Sequence, residues 1–158
     1  MKRMAFIAMT IVVVSYLSIC VLVFTQQRKL LFPAPPPQVF PLGPAKLIEV
    51  PGGTQLIWRD AGGTGPVMVH FHGNAEQISG EAWLADAFAG QGASFAGVEY
   101  PGYSGLPGEP SEASLLAAAE AALAHLTGPM GIARERLVLS GQSVGTGVAV
   151  AIWSGIVL

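Results

Sequence analysis

Hydrophobic residues fall along this chain in three patterns, each predicting a different element. The first is unbroken. Met4 to Phe24 is a stretch of 21 residues without a charge, and a helix rising about 1.5 Å per residue over it spans the roughly 30 Å of bilayer hydrocarbon. The second pattern is the short apolar run bounded by glycine or proline. Lys46 to Trp58 breaks at Pro51-Gly52-Gly53 and predicts a hairpin. Pro66 to Gly73 predicts a strand buried on both faces, and Ala93 to Tyr100 and Arg136 to Ser140 predict further strands. The third pattern has helical spacing. In Ser111 to Leu126, residues Leu115, Ala119, Ala122 and Leu126 share one face, and Glu112 stands in the first turn, where the helix dipole favours a negative charge. Ala75 to Phe88, interrupted by Gly80, and Val144 onward are expected helices as well. Strands alternating with helices imply an α/β fold, a mostly parallel sheet with helices on both faces.

These patterns divide the chain into a membrane anchor (1–29), a proline-rich spacer (30–45) and a domain (46–158). Lys2 and Arg3 precede the apolar run and Arg28 and Lys29 follow it, so loop charges differ little. The α-amino group tips the N-terminus toward the cytoplasm and the domain toward the extracytoplasmic side. A cleaved signal would have a shorter apolar region and a small-residue site, and Thr25 to Pro33 offers none. Lipidation at Cys20 would want a small residue at position 19, which is isoleucine. The stiff, extended habit of proline-rich chain suits a spacer.

Composition narrows the partners. Hydrophobic residues make up 51% of the chain and charged residues 11%, against about 25% charged in typical soluble domains. The mean hydropathy of +0.52 is raised in part by the anchor. A net charge of −2, with no Lys/Arg stripe, argues against nucleic acid. Cys20 is the one cysteine, which excludes an intrachain disulfide and a cysteine-based metal site. His70 and His72 alternate without a third ligand, and neither a Walker loop nor G-x-G-x-x-G occurs, so neither metal nor cofactor is expected.

The candidate chemistry is Gly141-Gln142-Ser143-Val144-Gly145, a G-x-S-x-G sequence between an apolar strand and an Ala/Val-rich helix. Glycines flank the serine because a sharp turn there leaves no room for side chains, and the helix N-terminus offers positive potential to an oxyanion. The bland alternative is a Gly/Ser turn without chemistry. His72-Gly73-Asn74, at the end of an earlier strand, is a candidate second source of backbone amides, or else a tight turn capped by Asn74. Glu99 precedes the serine and is therefore not expected as a triad acid. His125, at the C-terminal end of a helix, reads as structural.

Taken together, "HFHGNAE", "EYPGYSGLPGEPSE" and "GQSVGTGVA", behind an N-terminal anchor running into "RKLLFPAP", resemble the membrane-anchored α/β-hydrolase-domain proteins over about Leu30 to Ala151. That group includes protein-depalmitoylating and lipid-acting serine hydrolases. The resemblance implies an α/β-hydrolase fold, Ser143 as nucleophile, the backbone amides of Asn74 and Val144 as oxyanion hole, and Gly141, Gly145, His72 and Gly73 as its support. It implies hydrolysis of a small-molecule, lipid or acyl-thioester substrate through an acyl-enzyme, with no cofactor and no metal. In this fold the triad runs serine, acid, histidine, yet the residues after Ser143 contain neither acid nor histidine. The chain therefore reads as the N-terminal half of such an enzyme, truncated after the elbow. The alternative is an inactive, membrane-tethered remnant or binding module, and His70 or His125 would serve only as an unorthodox base.

Overall fold

The computed structural model describes residues 2–155. Met1 of the expected anchor and Ile156 to Leu158 of the expected domain lie outside the described residues. The chain forms two compact units, one ending at Phe32 and one from Pro33 onward.

The first unit is the helix α1, Lys2–Leu31, with no buried residue. It is long and apolar enough to cross a membrane. Three of its hydroxyls are satisfied within the helix: Thr10 Oγ1 donates to the Phe6 carbonyl at 3.0 Å, Ser18 Oγ to Val14 at 2.8 Å and Thr25 Oγ1 to Leu22 at 2.9 Å. Such back-bonding removes the penalty of a bare hydroxyl in hydrocarbon.

The second unit is built on a five-stranded sheet: β1 (Lys46–Val50), β2 (Thr54–Arg59), β3 (Val67–Phe71), β4 (Ser94–Val98) and β5 (Leu137–Gly141), ordered β1-β2-β4-β3-β5. The expected hairpin pairs Val50 with Thr54 around the Pro51-Gly52-Gly53 turn. β2 runs antiparallel to β4, whereas β3 runs parallel to both β4 and β5. The parallel part expected from the sequence is therefore the β4-β3-β5 core, extended by an antiparallel hairpin.

Helices cover both faces. α2 (Ala82–Ala89) closes one over Ile57, Phe95 and Ile78. α3 (Glu112–Thr127) buries Leu115, Ala118, Ala119, Ala122 and Leu126 on the other, the face expected from their spacing, and α4 (Val144–Ser154) packs beside it. Ser111 caps α3, accepting from the Ser114 amide at 3.1 Å. The order explains the faces. The step from β3 to β4 moves one way across the sheet and the step from β4 back past β3 to β5 moves the other, so right-handed crossovers put their helices on opposite sides. The chain leaving β3 and the chain leaving β5 consequently diverge, opening a crevice at their carboxyl ends.

The helix expected from Ala75 begins only at Ala82, after a 3-10 turn over Ile78–Glu81. Ala75 has φ of 58° and Gln77 is extended, at φ −133° and ψ 134°, which no α-helix accommodates. Residues 33–45, expected as a spacer, also pack on the domain. The buried Gln77 amide donates to the Pro36 carbonyl at 2.7 Å, and its carbonyl accepts the Gln38 N–H at 3.1 Å.

Candidate active site

Ser143 sits where β5 turns into α4, at the crevice. Its backbone, at φ 50° and ψ −117°, lies in a region that L-residues rarely adopt, and its side chain is exposed. Such a conformation costs of order 1–3 kcal/mol and persists only where its surroundings hold it. Here they do. Gln142 N–H donates to the Phe71 carbonyl at 3.0 Å, and the Gly145 and Thr146 amides close on Gln142 and Ser143 at 2.8 and 3.0 Å. The flanking glycines are steric necessities. A Cβ at Gly141 would overlap the Gly145 carbonyl, and one at Gly145 would overlap the Phe71 carbonyl. Val144 is the first residue of α4, so its N–H precedes every intrahelical acceptor and belongs to the positive end of the helix.

The loop after β3 meets the serine at Gly73. A Cβ there would lie 2.7 Å from Glu76 Oε2 and 3.3 Å from Ser143 Cβ, so glycine lets the two segments pack this closely without displacing a neighbour. The Gly73 N–H donates to Glu76 Oε2 at 2.6 Å, while Glu76 Oε1 accepts from Gln142 Nε2 at 2.7 Å. Asn74 follows Gly73, its Oδ1 accepting from the Tyr103 hydroxyl at 2.9 Å. The loop of Pro101 to Gly105 thus packs beside the β3 loop rather than standing apart from it.

Beneath lies a buried polar hub. His72 Nδ1 donates to the Gly73 carbonyl at 2.8 Å, and its Nε2 meets Glu99 Oε1 at 2.7 Å, both side chains being almost fully enclosed. Glu99 also accepts from the amides of Ile78 and Tyr100, each at 3.1 Å, and from the Ser104 hydroxyl. With three neutral donors and His72 Nε2 on its two oxygens, this charge is compensated as a buried carboxylate must be. Glu99 therefore braces the loop from below. The same burial, with Glu99 beside it, pushes the Tyr103 hydroxyl up to about 12 and that of Tyr100 higher still.

The other histidines point elsewhere. His70 Nδ1 is 3.0 Å from Ser140 Oγ, and its Nε2 stands 3.0 Å from Glu81 Oε2, close enough for an ion pair but out of line for a hydrogen bond. His125 lies in the last turn of α3. Among the described residues no side chain hydrogen-bonds the Ser143 hydroxyl, and no three His, Cys, Asp or Glu side chains are grouped to hold a metal. An open groove of about 430 Å³ runs beside the elbow between Pro35, Phe40, Glu76, Trp83 and Gln142.

Set against solved structures, the chain finds counterparts over some seven tenths of its length. An α/β hydrolase from Vibrio vulnificus superposes with a TM-score of 0.59 at 20% identity, over 72% of this chain and 42% of that one. The Pyrococcus furiosus esterase Pf2001 gives 0.62 at 17% identity, over 74% and 49%, and Thermogutta terrifontis esterase 2 gives 0.58 at 19%, over 70% and 46%. The chain has the α/β-hydrolase fold. At these identities the likeness speaks for the fold alone. In sequence, two uncharacterized proteins of Mycobacterium tuberculosis, Rv2307c and MT2364, are each 37% identical over 140 residues, covering 82% of this chain and 50% of the relative. The chain thus spans about half the length of the curated relatives it matches. No family model matches it.

Within this α/β-hydrolase fold Ser143, Val144, Gly141 and Gly145 form the strand-to-helix turn, and Gly73 approaches it from the β3 loop with Asn74 next along the chain. Sequence reasoning missed Glu76, Gln142 and Gln77, and dismissed Glu99 without seeing its structural role. The three-residue spacing from Gly73 to Glu76 is that of a side chain reaching back to a capped amide, a signal that could have found Glu76. Nothing local pairs it with Gln142.

Proposed function

We propose that this protein is a membrane-anchored serine hydrolase of the ester or thioester class, with Ser143 as nucleophile. The observation that carries the reading is the strained backbone of Ser143, held at φ 50° between two glycines and presented at a helix N-terminus. Strain of this kind is retained where it serves a function. In the proposed reaction Ser143 Oγ attacks the substrate carbonyl, the Val144 and Asn74 amides receive the developing oxyanion, and the leaving group departs as alcohol or thiol carrying the proton lost by the serine, to give an acyl-enzyme that water hydrolyses to the free acid and Ser143. None of His70, His72 and His125 is assigned as the base, because His70 and His72 are engaged with other partners and His125 lies in the last turn of α3. The length and apolar character of α1 support a membrane tether, which favours a lipid or lipidated substrate.

A second reading rests on there being, among the described residues, no side chain bonded to the Ser143 hydroxyl: a tethered binding module of hydrolase fold that does not turn over. Intact-mass measurement after treatment with a fluorophosphonate, which adds to an activated serine, separates the two. One adduct lost in Ser143→Ala supports the hydrolase. A protein of 16.4 kDa that takes no adduct sinks it and leaves the binding module. Under the second reading this chain hydrolyses short aryl esters no faster than its Ser143→Ala variant.

A further inference from the structure

We propose that Glu76 is the positioning residue that sets the separation between the β3 loop and the nucleophile turn, by gripping Gly73 with one carboxylate oxygen and Gln142 with the other. The inference rests on the reading of Ser143 as nucleophile and names how that site is held in register. Gly73 immediately precedes Asn74, and Gln142 immediately precedes Ser143. Glu76 thus links the predecessors of an oxyanion donor and of the nucleophile, through bonds of 2.6 and 2.7 Å. Both are short enough to be charge-assisted.

A side chain that merely capped its own turn would need only the first of these bonds. The second crosses 66 positions of sequence to an exposed residue that makes no other side-chain hydrogen bond among the described residues. The link matters because the two segments leave the sheet in opposite directions and, at this point, are separated only by the width of a glycine. A Cβ on Gly73 would already stand 3.3 Å from Ser143 Cβ. Among the described residues no lysine or arginine pairs with Glu76, so its charge is committed to these two neutral donors.

The chemistry allows charge to be separated from connection. In Glu76→Gln the introduced carbonyl can still accept from Gly73, while its amide donates to a Gln142 side chain rotated end for end. In Gln142→Glu two carboxylates face one another and the link breaks. In the double variant E76Q/Q142E the amide again donates to a carboxylate, with the charge moved across the gap.

The test uses the full chain in detergent, with two readouts: the second-order rate of Ser143 modification by a fluorophosphonate, and hydrogen exchange of the Gly73 amide. Glu76→Ala and Gln142→Glu should each slow modification about tenfold or more, as expected for a misplaced reacting group, and should release the Gly73 amide. Glu76→Gln should keep the rate within about threefold and E76Q/Q142E should recover most of it, both with Gly73 protected again. If the double variant is no better than Gln142→Glu in either readout, or Glu76→Ala matches the parent, the inference is overturned. If the parent shows no Ser143-dependent modification, the hydrolase reading fails by itself, and Gly73 exchange across the same variants still decides whether Glu76 ties the two segments.

Discussion

Truncating Gln77 to alanine should release the proline-rich strap from the domain while leaving the sheet intact. Gln77 is buried, and its side chain makes two bonds to the strap, donating to the Pro36 carbonyl at 2.7 Å and accepting from the Gln38 N–H at 3.1 Å. The orientation of its amide is dictated by its partners, since a carbonyl can only accept and an N–H can only donate. At roughly 1 kcal/mol net for each of the two bonds to the strap, it loses about 2 kcal/mol of local stability. With a factor of ten for each 1.4 kcal/mol, the released population rises roughly 30-fold. Amide exchange at Gln38 reads this directly, because in the local-opening regime its rate follows that population. Gln77→Glu should move in the same direction, because a carboxylate cannot donate to Pro36 and would stand near Glu99. Exchange at Gln38 within about threefold of the parent in Gln77→Ala would refute the claim that Gln77 holds the strap. The consequence reaches the site, since Pro35, Gln38 and Phe40 form one wall of the groove beside the elbow. A domain cut at residue 46 should lose that wall.

Two glycines of one helix should respond with opposite signs. Gly145→Ala drives a methyl into the Phe71 carbonyl and should destabilise by about 3 kcal/mol or more in urea unfolding, whereas Gly147→Ala has open space and should stabilise by about 0.5–1 kcal/mol. Equal effects would refute the steric account of the elbow. Ser143→Gly removes the backbone strain and should raise stability by roughly 1 kcal/mol, net of glycine's extra entropy, while Ser143→Ala keeps the strain and should not. Tyr103 binds its proton more tightly folded than unfolded, so its contribution is complete below about pH 10 and is lost as pH rises through about 12. Tyr103→Phe should therefore flatten part of the alkaline fall in unfolding midpoint, and an unchanged profile would contradict the burial assigned to that hydroxyl.

How much of this was legible beforehand follows from the range of the forces involved. The hairpin at Pro51-Gly52-Gly53, the strand ending at Phe71, the buried face of α3 and the elbow at Ser143 are each specified by residues within a few positions of one another. Apolar periodicity and turn chemistry act over that distance. The glycines at 73, 141 and 145 were legible for the same reason, as places where backbone must approach backbone. The start of α2 was not. Gly80 hinted at an interruption, but what delays the helix is the extended Gln77, whose side chain is claimed by Pro36 and Gln38 from the far end of the strap.

By itself, then, the sequence determined the elements, the anchor-like helix and the identity of the turn that presents Ser143, because these rest on local sterics and on the burial of evenly spaced apolar groups. Only the tertiary structure decided which carboxylate does what. Glu99, Glu76 and Glu81 look alike along the chain, yet one braces His72 from below, one joins Gly73 to Gln142, and one faces His70. Their roles depend on the β4-β3-β5 order, which brings residues far apart in sequence to the same crevice. A buried charge takes its meaning from whichever donors the fold places around it.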